Sequence, residues 1–246
     1  MKFTKNHYIA SFLTTILLSS CLNTELMKEK SFFKDLSAYV EDFENEENFK
    51  RYWSDDSQNT KEIKYKLENN HIKLTTAKGT KERAKIKFNK TNLTFGTYEW
   101  RVYVPKMRLS ENCSIGAFLY RDDKHELDFE IGSGNSKDRK EVAAKRNELL
   151  LFCTSQQSPY GSTIAKIKEE NWCNLKLELS AGLKNNYLAK WYLNGDKVFE
   201  LQLDYGRRFK FEALCSLENI HFIGDKPTSV ENYTYFDSFK YKAFLK

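Results

Sequence analysis

The sequence predicts an all-β fold, an antiparallel β-sandwich or jelly roll, and three observations carry this prediction. Short runs that alternate apolar and polar residues recur through the chain, and turn signals separate them. Aromatic residues make up 15% of the chain and only 3 prolines interrupt it, a composition that suits one large β domain. No internal repeat or second domain boundary is visible.

The first twenty residues have the parts of a secretory signal. Two lysines precede an apolar run from Ile9 to Leu18, which is too short to span a bilayer by itself. The run ends in LSSC, where small residues precede a cysteine as in bacterial lipoprotein signals. We therefore predict a lipoprotein signal peptide over residues 1–20 and lipidation of Cys21. An ordinary signal peptide or an uncleaved anchor is the alternative.

The segment after the signal is charged and has no clear period, so residues 21–38 are predicted to be the lipidated cysteine and a tether. The folded domain is predicted over residues 39–246. This organisation predicts an extracytoplasmic protein that is anchored by lipid to a bacterial membrane, on its periplasmic or cell-surface side.

The charge pattern argues against a nucleic-acid partner. The chain has 40 Lys+Arg against 34 Asp+Glu, a net charge of +6, and removing Lys2 and Lys5 with the signal leaves +4. Lysines and acids are interspersed in KEIKYKLENN and KGTKERAKIK, which is typical of a solvated surface. We expect no nucleic-acid partner, and membrane contact through the lipid alone.

The domain reads as a succession of strands with turns between them. Asn194-Gly195 is the strongest hairpin signal, because a type I′ turn needs a positive φ at both positions. The segment KDRKEVAAKRNELL is rich in helix formers and predicts a short helix or ordered loop near residues 137–147. The predicted strands, in chain order, are HIKLTTA, RAKIKF, GTYEWRVYV, SIGAFLY, ELDFEI, LLLFCT, NLKLEL, LAKWYL, KVFELQL, IHFIG and YFDSFKY.

Four cysteines lie in the predicted domain, Cys113, Cys153, Cys173 and Cys215, and none has the spacing of a metal site. Two disulfides are compatible with the sequence, in any of three connectivities. Four buried free thiols are equally compatible, because a body of this length has a sufficient core without cross-links.

The segment HELDFEIG carries the clearest chemical signal. In a strand, Glu126, Asp128 and Glu130 share one face and the apolar residues between them share the other. Because buried unpaired carboxylates are costly, the acidic face must look into water or a cleft. Three acids on one face repel each other and do not all ionise at ordinary values, as acid/base chemistry requires. A solvated strand face without chemistry is the alternative.

Several segments together resemble glycoside hydrolase family 16, the laminarinase and lichenase group, over roughly residues 40–244. The resemblance implies a concanavalin A-like jelly roll with a concave carbohydrate-binding cleft. The segments are FGTYEWRVYVP, SIGAFLYRDDKHELDFEIG, KWYLNGDKV and YFDSFKY, in that order.

The resemblance implies a retaining double displacement in which Glu126 is the nucleophile, Glu130 the acid/base and Asp128 a hydrogen-bond partner of the nucleophile. The expected protein is a monomeric, endo-acting hydrolase of a β-linked polysaccharide, of β-glucan or galactan class, that needs no cofactor for catalysis. Two alternatives stay open: a transglycosylase, and a carbohydrate-binding lipoprotein that hydrolyses nothing.

Four further residues match substrate-binding positions of the family. For each, the alternative is simple packing or a surface ion pair. These residues are Glu99, Arg101, Phe118 and Tyr120.

Asp237 matches an aspartate that binds a structural calcium ion in some family members, although one carboxylate alone is a weak metal signal. Lys124 and His125 stand where the family often has a tryptophan, and the family's late Asn-x-Trp strand has no clean counterpart in FEALCSLENIHFIGD. These departures leave the sugar and the linkage open.

Overall fold

The computed structural model describes residues 36–244. The predicted signal peptide, the lipidation site Cys21 and most of the tether lie outside the described residues. The chain divides into two units, 1–36 and 37–246, and the first described strand begins at Ala38. Within the described range, no helix is long and apolar enough to cross a membrane.

Strands make up most of the described chain, and the helices are short. The helices are α1 (Glu46–Tyr52) and α2 (Ser136–Glu141), and a 3-10 turn covers Leu183–Asn185. The strands are β1 (Ala38–Glu41), β2 (Trp53–Asp55), β3 (Tyr65–Glu68), β4 (His71–Thr76), β5 (Arg83–Phe88), β6 (Gly96–Val104), β7 (Ser114–Asp122), β8 (His125–Gly132), β9 (Glu148–Ser155), β10 (Gly161–Lys168), β11 (Asn171–Ala181), β12 (Asn186–Leu193), β13 (Asp196–Gly206), β14 (Glu212–Glu218) and β15 (Asn232–Ala243).

The strands form two antiparallel sheets. The seven-stranded sheet has the order β10-β9-β8-β7-β14-β5-β2. The eight-stranded sheet has the order β13-β12-β11-β6-β15-β4-β3, and β1 pairs with β15. Two antiparallel sheets that pack face to face form a jelly-roll sandwich, which confirms the predicted fold class.

Alternating residues of both sheets fill the core between them. Leu127 and Phe129 of β8 are fully buried, and the ring centroid of Phe129 is 6.4 Å from that of Trp100 in the other sheet. The indole nitrogen of Trp191, also in the other sheet, donates to the Asp128 carbonyl oxygen at 3.0 Å. Because the apolar face of β8 is held against the opposite sheet, its acidic face must point outward.

Two local predictions are confirmed. Asn194 and Gly195 have φ values of 52° and 96° and join β12 to β13 as a tight hairpin. A helix also forms in the predicted region, but it is only the six residues of α2. The Asn135 side chain caps it by accepting a hydrogen bond from the Asp138 amide.

The predicted strand IHFIG is wrong, because this segment is a loop. Ile223 is fully buried, and a side chain at Gly224 would collide with the Glu111 carbonyl oxygen at 2.4 Å. The strand of this region is β14, which the prediction misses. All but one of its residues are buried, so it lacks the alternation that identifies a strand with one solvated face.

The four cysteines of the predicted domain are buried free thiols, which was one of the two alternatives compatible with the sequence. Cys113, Cys153, Cys173 and Cys215 are all free and buried. Burial raises the pKa of each thiol, to about 12 for Cys173. They therefore stay protonated and act as small apolar residues of the core.

Candidate active site

The three acids of β8 lie together on the outward face of the seven-stranded sheet. We call Glu126, Asp128 and Glu130 the acid triad. The neighbouring strand β7 places Tyr120 opposite Glu126 and Phe118 opposite Asp128. All five side chains share this face, because residues paired across two strands point to the same side.

The structure thus places Phe118 and Tyr120, which are predicted to bind the substrate, beside the acid triad. They differ in how much of the ring a ligand can reach. Phe118 is only 6% exposed, whereas Tyr120 is half-buried and its hydroxyl donates to Asp123 at 3.0 Å. Tyr120 is the ring of this pair that is available to a ligand.

The centre of the triad is the most buried part. Asp128 is 2% exposed, while Glu126 and Glu130 are partly exposed. The side-chain amide of Gln156 donates to Asp128 Oδ2 at 2.9 Å, and the Asp128 carboxyl also hydrogen-bonds Glu126. Gln156 and Glu126 thus hold Asp128 in place, and Asp128 in turn orients Glu126.

Burial raises the pKa of every member of the triad. The pKa of Glu126 rises to about 7, because burial outweighs the hydrogen bond from Asp128 that favours its ionised form. The pKa values of Asp128 and Glu130 lie well above their ordinary range, through burial first and through neighbouring carboxylates second. The carboxylate of Glu218 raises the pKa of both glutamates of the triad, and the guanidinium of Arg83 lowers it.

These shifts separate the triad into two kinds of group. Glu126 ionises near neutral pH, and its carboxylate then accepts a hydrogen bond that the protonated Asp128 carboxyl donates. Burial raises the pKa of Glu130 well above its ordinary range, so Glu130 holds its proton more tightly than a free glutamate does. One carboxylate and one carboxylic acid on the same strand face are the pair that a nucleophile and a general acid require.

A cavity of about 380 Å³ opens beside Glu130. Two exposed aromatic rings stand at it: Tyr160 is 68% exposed and Phe222 is 55% exposed. Sequence reasoning missed both, because they lie in loops whose position depends on the sheets. The other lining residues are Phe152, Thr154, Gln156 and Ser162.

Ion pairs cover the same face on the other side of the triad. Arg83 of β5 pairs with Glu218 of β14, which is 4% exposed. Lys85 is 5% exposed, and its Nζ lies 3.4 Å from Asp56 Oδ2. The alternation in RAKIKF indicates that Arg83 and Lys85 share one strand face, but no local pattern indicates that this face continues the face of the acid triad.

Glu99 and Arg101 are predicted to bind the substrate, but the structure does not bring them to the acid triad. Both belong to β6, which lies in the eight-stranded sheet between β11 and β15. Their neighbours Tyr98 and Trp100 fill the core, so Glu99 and Arg101 point away from it on the outward side of that sheet. The whole core separates them from the acid triad.

The surroundings of Asp237 do not fit a calcium ion. Its Oδ1 is 3.3 Å from His71 Nε2, and its Oδ2 is 3.3 Å from Arg101 Nε. Calcium needs six to eight oxygen ligands, and here nitrogen donors occupy the carboxylate. In the described part of the chain, no cluster of three or more metal-ligating side chains occurs.

A larger cavity, of about 800 Å³, lies elsewhere on the domain. Its lining includes Arg108, Arg146 and Lys226 but no member of the acid triad. Its one buried carboxylate, Glu111, is already hydrogen-bonded to Ser229. Its size therefore does not make it the catalytic site, because it offers no pair of free carboxyl groups.

Comparison with known proteins gives a fold and no family. No known family model and no curated protein matches the chain. A Crh5 transglycosylase solved in complex with NAG is similar in structure, with a TM-score of 0.63 and 13% identity over 85% of each chain. The Bacillus licheniformis β-glucanase has a TM-score of 0.60 and 10% identity, over 85% of this chain and all of that one.

LamAcat from Zobellia galactanivorans is a further similar structure. Its TM-score is 0.57 at 12% identity, over 86% of this chain and 99% of that one. At such identities the likeness shows the sandwich fold alone.

Proposed function

We propose that the protein is a retaining, endo-acting glycoside hydrolase of a β-linked polysaccharide of β-glucan or galactan class. The observation that carries this proposal is the placement of the acid triad on one outward strand face beside a cavity, with the pKa of Glu126 raised to about 7 and that of Glu130 raised well above its ordinary range. The similar structures include a β-glucanase and a laminarinase, which supports a polysaccharide substrate.

The proposed chemistry has two steps. In the first, the Glu126 carboxylate attacks the anomeric carbon, the glycosidic bond breaks, and Glu130 gives its proton to the leaving oxygen. In the second, Glu130 takes a proton from water, the water oxygen attacks the same carbon, and the ester bond to Glu126 breaks. Asp128 donates its hydrogen bond to Glu126 before the attack and after the ester is released.

Exposed rings beside the triad support substrate binding at this face. Tyr160 and Phe222 present apolar faces to the cavity, and such faces pack against the C–H side of a sugar ring. The polar groups of Gln156 and Ser162 lie among them and can hydrogen-bond sugar hydroxyls. An aromatic wall with a few polar groups is suited to a glycan chain.

Transglycosylation is the second candidate. The transglycosylase among the similar structures favours it, and the two activities share the first step. A sugar hydroxyl then replaces water as the acceptor in the second step.

The decisive experiment uses a panel of β-glucans and galactans and measures released reducing ends. We expect Glu126→Gln and Glu130→Gln to lose several orders of magnitude in kcat while still binding the substrate. Glu99→Gln is the matched control, because the same change on the opposite sheet leaves the acid triad intact. Lengthened products would establish transglycosylation, and binding without any cleavage would establish a non-catalytic glycan-binding protein.

We also propose that the protein acts as a monomer, needs no cofactor for catalysis and is held to a bacterial membrane by lipid on Cys21. Replacing Cys21 with alanine tests the anchor, because the variant should leave the membrane fraction. Retention of the variant in that fraction would contradict the lipid anchor.

A further inference from the structure

A row of aromatic rings crosses the outward face of the eight-stranded sheet. Trp172 of β11 is paired with Tyr103 of β6, and Tyr103 is paired with Tyr235 of β15. Ring centroids along the row are 5.4 Å and 6.2 Å apart. The imidazole of His71 stacks on Trp172 at 5.0 Å, and Tyr233 extends the row with 39% of its surface exposed.

These rings are unusual for their position. The outward face of a sandwich sheet is normally polar, and the core is already filled from the other side. Here the rings line an open cavity of about 310 Å³, the lower end of the size range of small-ligand sites. Its lining residues are Asn69, His71, Tyr103, Trp172, Tyr233 and Tyr235.

The polar groups around the rings are balanced in charge. The carboxylate of Asp237 is shared between His71 and Arg101. Lys73 pairs with Glu68 at 3.5 Å, and Glu68 also accepts a hydrogen bond from Tyr235. Because these charges are paired, the electrostatic potential at the rings does not favour a ligand with a strong net charge. A neutral ligand with many hydroxyl groups would find both ring faces and hydrogen-bond partners.

We propose that this aromatic row is a second, non-catalytic site that binds a segment of neutral glycan. The proposal goes beyond the hydrolase function and does not require it, because the site shares no residue with the acid triad. A polysaccharide held on this face stays at a high local concentration near the protein. A long substrate would therefore gain from the second site, whereas a short oligosaccharide would gain little.

The tryptophans of the chain provide a direct test. Of the 4 tryptophans, Trp53, Trp100 and Trp191 are at most 2% exposed, so Trp172 is the one that an aqueous quencher can reach. The experiment is a titration of the Glu126→Gln protein, in which cleavage is blocked, with soluble β-glucans and galactans. Iodide quenching of tryptophan fluorescence is measured at each concentration.

We expect saturable protection from iodide with at least one neutral glycan. Trp172→Phe should remove the quenchable signal, and Tyr233→Ala should keep the signal but weaken the affinity about tenfold. Tyr160→Ala, at the acid triad, is the matched control and should leave the titration unchanged. Because Tyr233 is exposed, its removal tests ligand contact without opening the core.

Three results would overturn the proposal: no protection by any glycan, equal affinity in Tyr233→Ala, or a Trp172 that iodide cannot reach without glycan. The last result would mean that another segment or a partner covers the row. The two proposals fail separately. Cleavage by the wild type without protection of Trp172 refutes the second site alone. Protection without cleavage by the wild type refutes the hydrolase alone.

Discussion

The raised pKa of Glu126 makes the acid triad a source of instability at high pH, and Glu126→Gln measures it. In the folded protein the pKa of this carboxyl is about 7, against an ordinary 4.5. A folded-state pKa above the unfolded value means that the folded state binds the proton more tightly. The resulting stabilisation is complete below pH 4.5 and is lost as the pH rises to about 7.

The expected magnitude follows from this difference. Each pKa unit corresponds to about 1.36 kcal/mol, so the full cost of ionising Glu126 is on the order of 3 kcal/mol. Glutamine is neutral at every pH and its carbonyl still accepts the hydrogen bond from Asp128. The advantage of Glu126→Gln over the wild type should therefore grow by about 2–3 kcal/mol between pH 5 and pH 8.

Urea unfolding at pH 5, 6, 7 and 8, followed by tryptophan fluorescence, measures the free energy of unfolding of both proteins. Glu99→Gln controls for the substitution itself, because Glu99 lies on the other sheet. If the advantage of Glu126→Gln is the same at pH 5 and pH 8, the carboxyl is not buried as the structure has it. The reasoning from desolvation would then be refuted.

Four further predictions concern the same site and its support. The value of kcat/KM should rise with pH through about 7 as Glu126 ionises and fall at higher pH; a profile without an acidic limb would contradict the assignment. Glu218→Gln removes a charge that raises the pKa of both catalytic glutamates. Both limbs of the pH profile of kcat/KM should therefore move to lower pH, and an unchanged profile would exclude an effect of the Glu218 charge. Tyr160→Ala and Phe222→Ala should each raise KM about tenfold, because each removes a ring contact of about 1.4 kcal/mol. Steady-state kinetics on a polymeric substrate measures KM, and an unchanged KM would contradict the ring contact. Phe129→Ala should destabilise the domain by about 3–5 kcal/mol in urea unfolding, and a loss below 1 kcal/mol would show that the core can collapse around the gap.

Local patterns were sufficient for those features that depend on neighbouring residues. The alternation in HELDFEIG determined that three carboxylates share one face of β8, because successive side chains of a strand point to opposite sides. Asn194-Gly195 determined a hairpin, because both residues tolerate positive φ. The abundance of such runs was also enough to predict a β-sandwich.

The sequence by itself therefore determined which residues share a face, and the tertiary structure alone decided which faces meet. GTYEWRVYV alternates as cleanly as HELDFEIG, yet β6 pairs with β11 and β15 and β8 pairs with β7 and β9. The strands β7 and β8 are consecutive in the chain, but β6 pairs with strands that begin at Asn171 and Asn232, and no local pattern encodes such distant partners. The strand pairing places Glu99 on the other sheet and places Tyr160 and Phe222 beside Glu130. It also buried the triad, and burial, which depends on every neighbour in space, is what shifts the pKa of Glu126.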